Sequence, residues 1–188
     1  MNSASHAVSN LSQWEGVIFD LDGTLVRLVV PWHEVDNEIA SIFESKGYDI
    51  PENSRIWEFL HVANEAGFRA EVEDVLQNHE VRGAKISEAL PLIQTVDQLN
   101  APVAICSLNC EKSCRIALNT HEYYDAIDTF VGRDTVSTWK PDPEPLLTAI
   151  EGIGVPTASA VFVGDSPRDK QTAEAAKVDF QYVQDILS

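Results

Sequence analysis

Three short apolar runs in this chain each stop at a polar, chemically capable residue, and that repetition limits what the chain can fold into. Gly16-Val17-Ile18-Phe19 runs into Asp20-Leu21-Asp22-Gly23-Thr24, and Val103-Ala104-Ile105-Cys106 into Ser107-Leu108-Asn109. Val161-Phe162-Val163 runs into Gly164-Asp165-Ser166. An apolar run without polar alternation has no face to offer water, so each predicts a strand covered on both sides, as in a parallel sheet. Weaker strands are predicted at Ile127–Val131 and Phe180–Val183, and helices at Ile86–Leu99, Cys110–Asn119, Glu144–Gly152 and Asp169–Ala176. Asp142 can cap the third of these helices, with Pro143 at its first position, where a missing N–H does no harm. Strand and helix in alternation give an α/β fold with a doubly wound parallel sheet. Such sheets take ligands at the carboxyl ends of their strands, where the polar residues above fall.

The long stretch between the first two of these strands exceeds what one crossover helix needs. From His33 to Glu88 it carries thirteen acidic and five basic residues, reads as helical, and is broken around Gly47–Pro51 and at Gly67. The expected organisation is a flexible tail over 1–12, a core made of 13–30 and 85–188, and a small helical cap over 31–84. Trp32, Trp57, Phe59 and Phe68 are read as the cap's own small core. Arg27, Arg55 and Arg69 are read as solvated or ion-paired within an acidic region, and His33, His61 and His79 share no ligand spacing.

The 188 residues carry 30 Asp and Glu against 13 Lys and Arg, a formal charge of −17. A surface this negative argues against nucleic acid and anionic membranes as partners, since both need a basic footprint. With 44% hydrophobic residues the acidity overlies a globular sequence, so it reads either as a solvated skin suited to a very salty (halophilic) cytoplasm or as a surface that binds cations or basic partners. No segment reaches the roughly 18–20 apolar residues of a membrane span, and Met1–Ser12 lacks the basic start and apolar stretch of a secretory signal. Cys106, Cys110 and Cys114 are odd in number and crowded together, which reads as reduced thiols in a cytoplasmic protein.

Asp20 and Asp22, held close at a strand end, repel each other unless a cation or a proton intervenes. An Asx-rich turn would look the same in isolation, and the other strand ends decide the matter. Ser107 and Asn109 stand at a helix start, where free N–H groups and the positive end of the dipole favour phosphate. Lys140, before Pro141-Asp142-Pro143, is a stiffly held point charge for phosphate. Asp165 and Asp169, at the start of a further helix, add hard oxygen ligands of the kind that suit Mg²⁺.

In order and context these residues resemble the haloacid dehalogenase superfamily, whose motifs match Asp20-Leu21-Asp22-Gly23-Thr24, Ser107, Lys140-Pro141, and Gly164-Asp165 through Asp169. The resemblance runs from Val17 to Val183 and implies a Rossmann-like core with a helical cap, as in phosphoglycolate phosphatase-like members. Carried over position by position, it implies that Asp20 attacks phosphorus and forms an aspartyl-phosphate. It makes Asp22 the acid and then the base. Ser107 and Lys140, with Thr24 and Asn109 beside them, would hold the phosphoryl oxygens of a small-molecule phosphate ester. Asp20, Asp22 through its carbonyl, and Asp165 would ligate Mg²⁺, with Asp169 steering its waters. Dehalogenating members lack an acid at the position of Asp22, so its presence favours phosphate esters. The chain departs from many capped members at Val26-Arg27-Leu28-Val29, where they carry acidic or serine residues. The expected activity is a Mg²⁺-dependent phosphatase. The alternatives are a phosphomutase of the β-phosphoglucomutase type, using the same residues, and a non-catalytic regulatory or partner-binding protein on the same fold.

Overall fold

A computed structural model describes residues 3–49 and 56–188. The apolar runs become β1 (Gly16–Phe19), β4 (Val103–Cys106) and β6 (Ala160–Gly164), and the weaker ones become β5 (Thr129–Val131) and β7 (Asp179–Tyr182). Among the described residues these five strands form one sheet in the order β5-β4-β1-β6-β7, and every pairing in it is parallel. Strand β1 is central, and the chain winds outward from it to β4 and β5, then returns to β6 and β7 on the other side. The fold is α/β and doubly wound.

Side chains of successive strand residues point to opposite faces, and each face has its own core. Val17, Phe19, Val103, Ile105, Val161 and Val163 pack with Cys114, Ala117 and Leu118 of α5 (Glu111–Thr120). Ile18, Ala104, Cys106 and Phe162 pack with Leu146, Ala149 and Ile150 of α6 (Glu144–Gly152) and Ala173 of α7 (Pro167–Ala176). Pro143 has helical backbone angles and Asp142 Oδ1 accepts the Glu144 N–H at 2.9 Å, so α6 starts as its sequence predicts. Cys106, Cys110 and Cys114 are buried and unbridged. No helix among the described residues is long and apolar enough to cross a membrane.

Helices α2 (Trp32–Lys46), α3 (Ile56–Ala66) and α4 (Arg69–Ala84) are inserted between the strands β2 (Val26–Arg27) and β3 (Glu88–Ala89), which pair antiparallel at the base of the insertion. Val35, Ile39, Phe43, Phe59, Leu60, Phe68, Val72 and Leu76 form a separate apolar centre for these helices, against which Val30 and Trp139 also pack. Phe43 meets Phe59 and Phe68 edge-on, with centroids 5.2 and 5.0 Å away. Trp32 is not part of that centre and is 40% exposed. Arg55 and the Trp57 side chain lie outside the described residues.

Two sequence expectations need correction. Residues 3–11 are not a loose tail but helix α1 (Ser3–Leu11), whose Ala7 and Leu11 are fully buried in the core beside Leu92, Val96 and Ile186. The small residues of this segment give little apolar signal, yet two of them at helical spacing suffice to dock it. The stretch Ile86–Leu99 is not one helix. Leu90 N–H donates to Leu25 O at 2.9 Å beside the β2–β3 ladder, and a 3₁₀ helix follows from Pro91 to Gln98. Pro91, with no N–H to give and a ring that blocks the preceding turn, marks the break.

Candidate active site

The three central strands deliver their polar ends to one crevice, at the point where the strand order reverses. Asp20, Ser107 and Asp165 are the first residues after β1, β4 and β6. After β1 the chain folds back sharply. Leu21 O accepts the N–H groups of Thr24, Leu25 and Val26, and Gly23 takes φ +89°, a value at which a side chain is strained. A Cβ at Gly23 would also stand 2.2 Å from Asp165 Oδ2, so glycine lets the first and last motifs touch.

Lys140 is buried between carboxylates. Its Nζ donates to Asp20 Oδ1 at 2.7 Å and also to Asp169 Oδ1, and it lies 5.4 Å from the Phe162 ring centroid. Burial opposes the charge on Lys140, but Asp20 and Asp169 outweigh that and raise its pKa, so it stays an ammonium. Burial pushes the Asp20 carboxyl well above the ordinary carboxylate range, Lys140 draws it down, and Asp169 and Asp165 push it up again. Thr24, itself buried, turns its hydroxyl to Asp20 Oδ2 at 3.4 Å and therefore braces Asp20. Asp169 is fixed by a capping box with Ser166 at the start of α7.

Asp22 stands apart from this pair. Its Oδ1 accepts the Leu28 N–H at 2.8 Å, and its pKa is raised by burial and lowered by that hydrogen bond. Carboxylate oxygens of Asp20, Asp165 and Asp169 lie within 4.8 Å of one another, with Asp165 the exposed member. Hard anionic oxygens at this density suit a small divalent cation, so the residues fit Mg²⁺. The Asp22 carboxylate is outside the cluster.

Ser107 and Asn109 are buried and interlocked: Ser107 Oγ donates to Asn109 Oδ1 at 3.1 Å and accepts the Asn109 N–H at 3.2 Å. The start of α5 is less open than its sequence suggests. Glu80 Oε2 accepts the Cys110 N–H at 2.9 Å and Asp134 Oδ1 accepts the Glu111 N–H at 2.7 Å. Two of the N–H groups expected to face phosphate thus already face carboxylates.

With this geometry in place, the comparison with known proteins is direct: residues 17–183 match the profile of the haloacid dehalogenase-like hydrolases. The chain belongs to that family. A phosphoglycolate phosphatase of Cereibacter sphaeroides is 32% identical to this hydrolase over 187 residues, spanning 88% of the chain and 83% of the relative. A phosphoglycolate phosphatase of Rhodospirillum rubrum is 37% identical over 90 residues, which span 48% of this hydrolase and 37% of that relative. A HAD-superfamily hydrolase of Geobacter sulfurreducens, at 23% identity, shares the fold with a TM-score of 0.59 over 89% of this chain and 88% of its own. Within the family, this hydrolase is a phosphatase.

Sequence reasoning about this hydrolase missed Arg133. Its side chain is 1% exposed; Nη1 lies 2.6 Å from Glu80 Oε1 and Nε lies 2.8 Å from Glu73 Oε2. Burial alone would lower the pKa of Arg133, but Glu80 and then Glu73 raise it, so the guanidinium stays charged. Glu80 is 1% exposed, and so it is not part of the solvated acidic skin to which its helix was assigned. Arg69 is ion-paired to Glu73 at 3.2 Å and sits 4.9 Å over the Trp139 ring, and Arg27 lies exposed on β2.

Proposed function

We propose that this hydrolase cleaves a small phosphate monoester of the phosphoglycolate type through an aspartyl-phosphate on Asp20, with Mg²⁺ as its cofactor. The observation that carries the reading is the meeting of Asp20, Asp165 and Asp169 with the buried ammonium of Lys140 at the ends of adjacent parallel strands. Phosphoryl transfer needs positioning and charge neutralisation more than covalent chemistry, and this arrangement offers both. The names of the relatives supply the substrate class.

In this reading Asp20 attacks phosphorus, braced by Thr24 and held by Lys140. The same ammonium keeps Asp20 from repelling an incoming anion and offsets charge on the phosphoryl oxygens. Ser107 turns its hydroxyl from Asn109 to a phosphoryl oxygen. Asp22, whose carboxyl holds its proton more tightly than an exposed aspartate, donates that proton to the leaving oxygen and then accepts one from water. Asp20, the Asp22 carbonyl and Asp165 would hold Mg²⁺, with Asp169 ordering its surroundings. When bound, the ion would lower the repulsion between these carboxylates and the phosphate.

The test uses an aryl phosphate and then phosphoglycolate. Asp20→Asn should reduce turnover by several orders of magnitude, and a chelator should abolish wild-type turnover until Mg²⁺ is restored. Equal phosphate release by wild type and Asp20→Asn would remove Asp20 from the role of nucleophile, and indifference to chelator would remove the metal.

A further inference from the structure

The buried Arg133 and Glu80 side chains meet at one place, the backbone of the Ser107–Cys110 loop. Arg133 Nη1 donates to Leu108 O at 2.7 Å, and the Arg133 backbone N–H donates to Asn109 O at 2.9 Å. Glu80 takes two guanidinium contacts, at 2.6 and 3.2 Å, and its Oε2 also accepts the Cys110 N–H at 2.9 Å. Two consecutive peptide planes are therefore gripped. A peptide unit is rigid and planar, with its C=O and the following N–H pointing in opposite directions. Holding Leu108 O on one side thus aims the Asn109 N–H to the other, where it meets Ser107 Oγ at 3.2 Å. The second plane is held at both ends, through Asn109 O by Arg133 and through the Cys110 N–H by Glu80.

The fit is close enough to exclude a side chain at the neighbouring position. A Cβ on Gly132 would lie 2.2 Å from Glu111 N and 2.8 Å from Asn109 O. The segment after β5 is pressed directly against the loop, and the Arg133 guanidinium reaches over it to α4. Glu73, one helical face along α4, takes the remaining Nε at 2.8 Å.

We propose that Arg133 and Glu80 are positioning residues for phosphate binding: they set the backbone that aims the Ser107 hydroxyl, and Glu80 does so from the inserted helix α4. The phosphate loop then answers to the placement of the insertion as well as to the sheet. This inference rests on the reading of Ser107 as a phosphoryl contact. Neither Arg133 nor Glu80 touches substrate; both act through Leu108, Asn109 and Cys110.

The experiment measures aryl phosphate turnover, competitive inhibition by inorganic phosphate, and thermal unfolding, with Mg²⁺ present. Arg133→Lys keeps a cation beside Glu80 but lacks the fork that reaches two partners at once. It should raise the inhibition constant of phosphate and lower kcat/KM by about 10- to 100-fold, the scale of a misplacement near 1 Å, while still unfolding cooperatively. The paired variant Glu80→Gln/Arg133→Met removes both charges together, keeps an acceptor for the Cys110 N–H, and should show the same loss. Ser107→Ala separates the two layers of the argument. If it leaves the phosphate inhibition constant unchanged, the phosphate-loop reading falls and this proposal with it. If Ser107→Ala weakens phosphate binding but folded Arg133→Lys and the paired variant bind phosphate as wild type does, the positioning role alone is overturned. If neither variant folds, the pair is structural and the positioning role is again overturned.

Discussion

Lys140 is the residue at which structure and chemistry press hardest on each other. Its ammonium separates Asp20 from Asp169 in a buried setting, where either carboxylate without it would face a like charge. Replacing it with Met, of similar length and no charge, leaves two buried anions uncompensated. Breaking a buried ion pair on one side destabilises by about 3–5 kcal/mol, and urea unfolding of Lys140→Met at neutral pH should show a loss of that size. The sign of its pH dependence follows from proton binding. With no cation beside it, Asp20 in the folded variant should hold its proton more tightly still than in the wild type, where burial already raises it above the unfolded chain. Stability contributed by that uptake is present at low pH and lost as pH rises. Because burial already raises Asp20 to about 7 in the wild type, the two proteins lose it alike below that point, and the deficit should widen only as pH climbs from about 7 to 9. A deficit that narrowed over this range, or stayed under about 1 kcal/mol throughout, would show that the ammonium holds the site together only weakly. Added Mg²⁺ should reduce the deficit, because the cation supplies charge to the same carboxylates.

At the scale of elements, the least expected contributor to stability is α1. Leu11 has no exposed surface and lies in the core on the α5 side of the sheet, together with Leu92, Val96 and Ile186. Leu11→Ala should lower stability by about 2–5 kcal/mol, the range for emptying a buried leucine site, as read by chemical denaturation. A change under about 0.5 kcal/mol would restore the segment to the status of a surface tail. Why the sequence hid this helix, yet displayed the sheet plainly, is a matter of signal per residue. Val103-Ala104-Ile105-Cys106 must be apolar at every position because both its faces are covered, so the strand announces itself. Helix α1 needs only Ala7 and Leu11 at the interface, and its serines and asparagine mask them. The site divides in the same way. Asp20, Ser107 and Asp165 are local features at strand ends and can be read one motif at a time. Arg133 cannot, because its partners Glu73 and Glu80 lie 60 and 53 positions away, on a helix whose many acids all look solvated. Only folding shows which of those acids turns inward, and with it that the start of α5 is already occupied.

For the whole molecule, the charge of −17 now separates into parts with different physical behaviour. The buried acids Asp20, Asp169 and Glu80 face Lys140 or Arg133 at hydrogen-bonding distance, where added salt screens little. Most of the remaining acids among the described residues are exposed, such as Glu34, Asp36, Glu65, Asp74, Asp97 and Asp185, spread over the insertion and the core alike. Those charges repel one another in the folded state more than in the expanded chain, and they repel an anionic substrate. The Debye length falls from about 10 Å at 0.1 M to about 3 Å at 1 M, so both repulsions should weaken over that range. The midpoint of thermal unfolding should therefore rise as KCl goes from about 0.1 M to 1 M, and KM for an aryl phosphate should fall over the same interval. Arg133→Lys and wild type should respond alike, since the buried network is not what salt acts on. A chain fitted to a very salty cytoplasm would behave in this way. A midpoint that stays flat or drops across that range would mean that the exposed acids sit far enough apart, or near enough to Lys46, Arg69 and Arg115, for their repulsion to matter little to the fold.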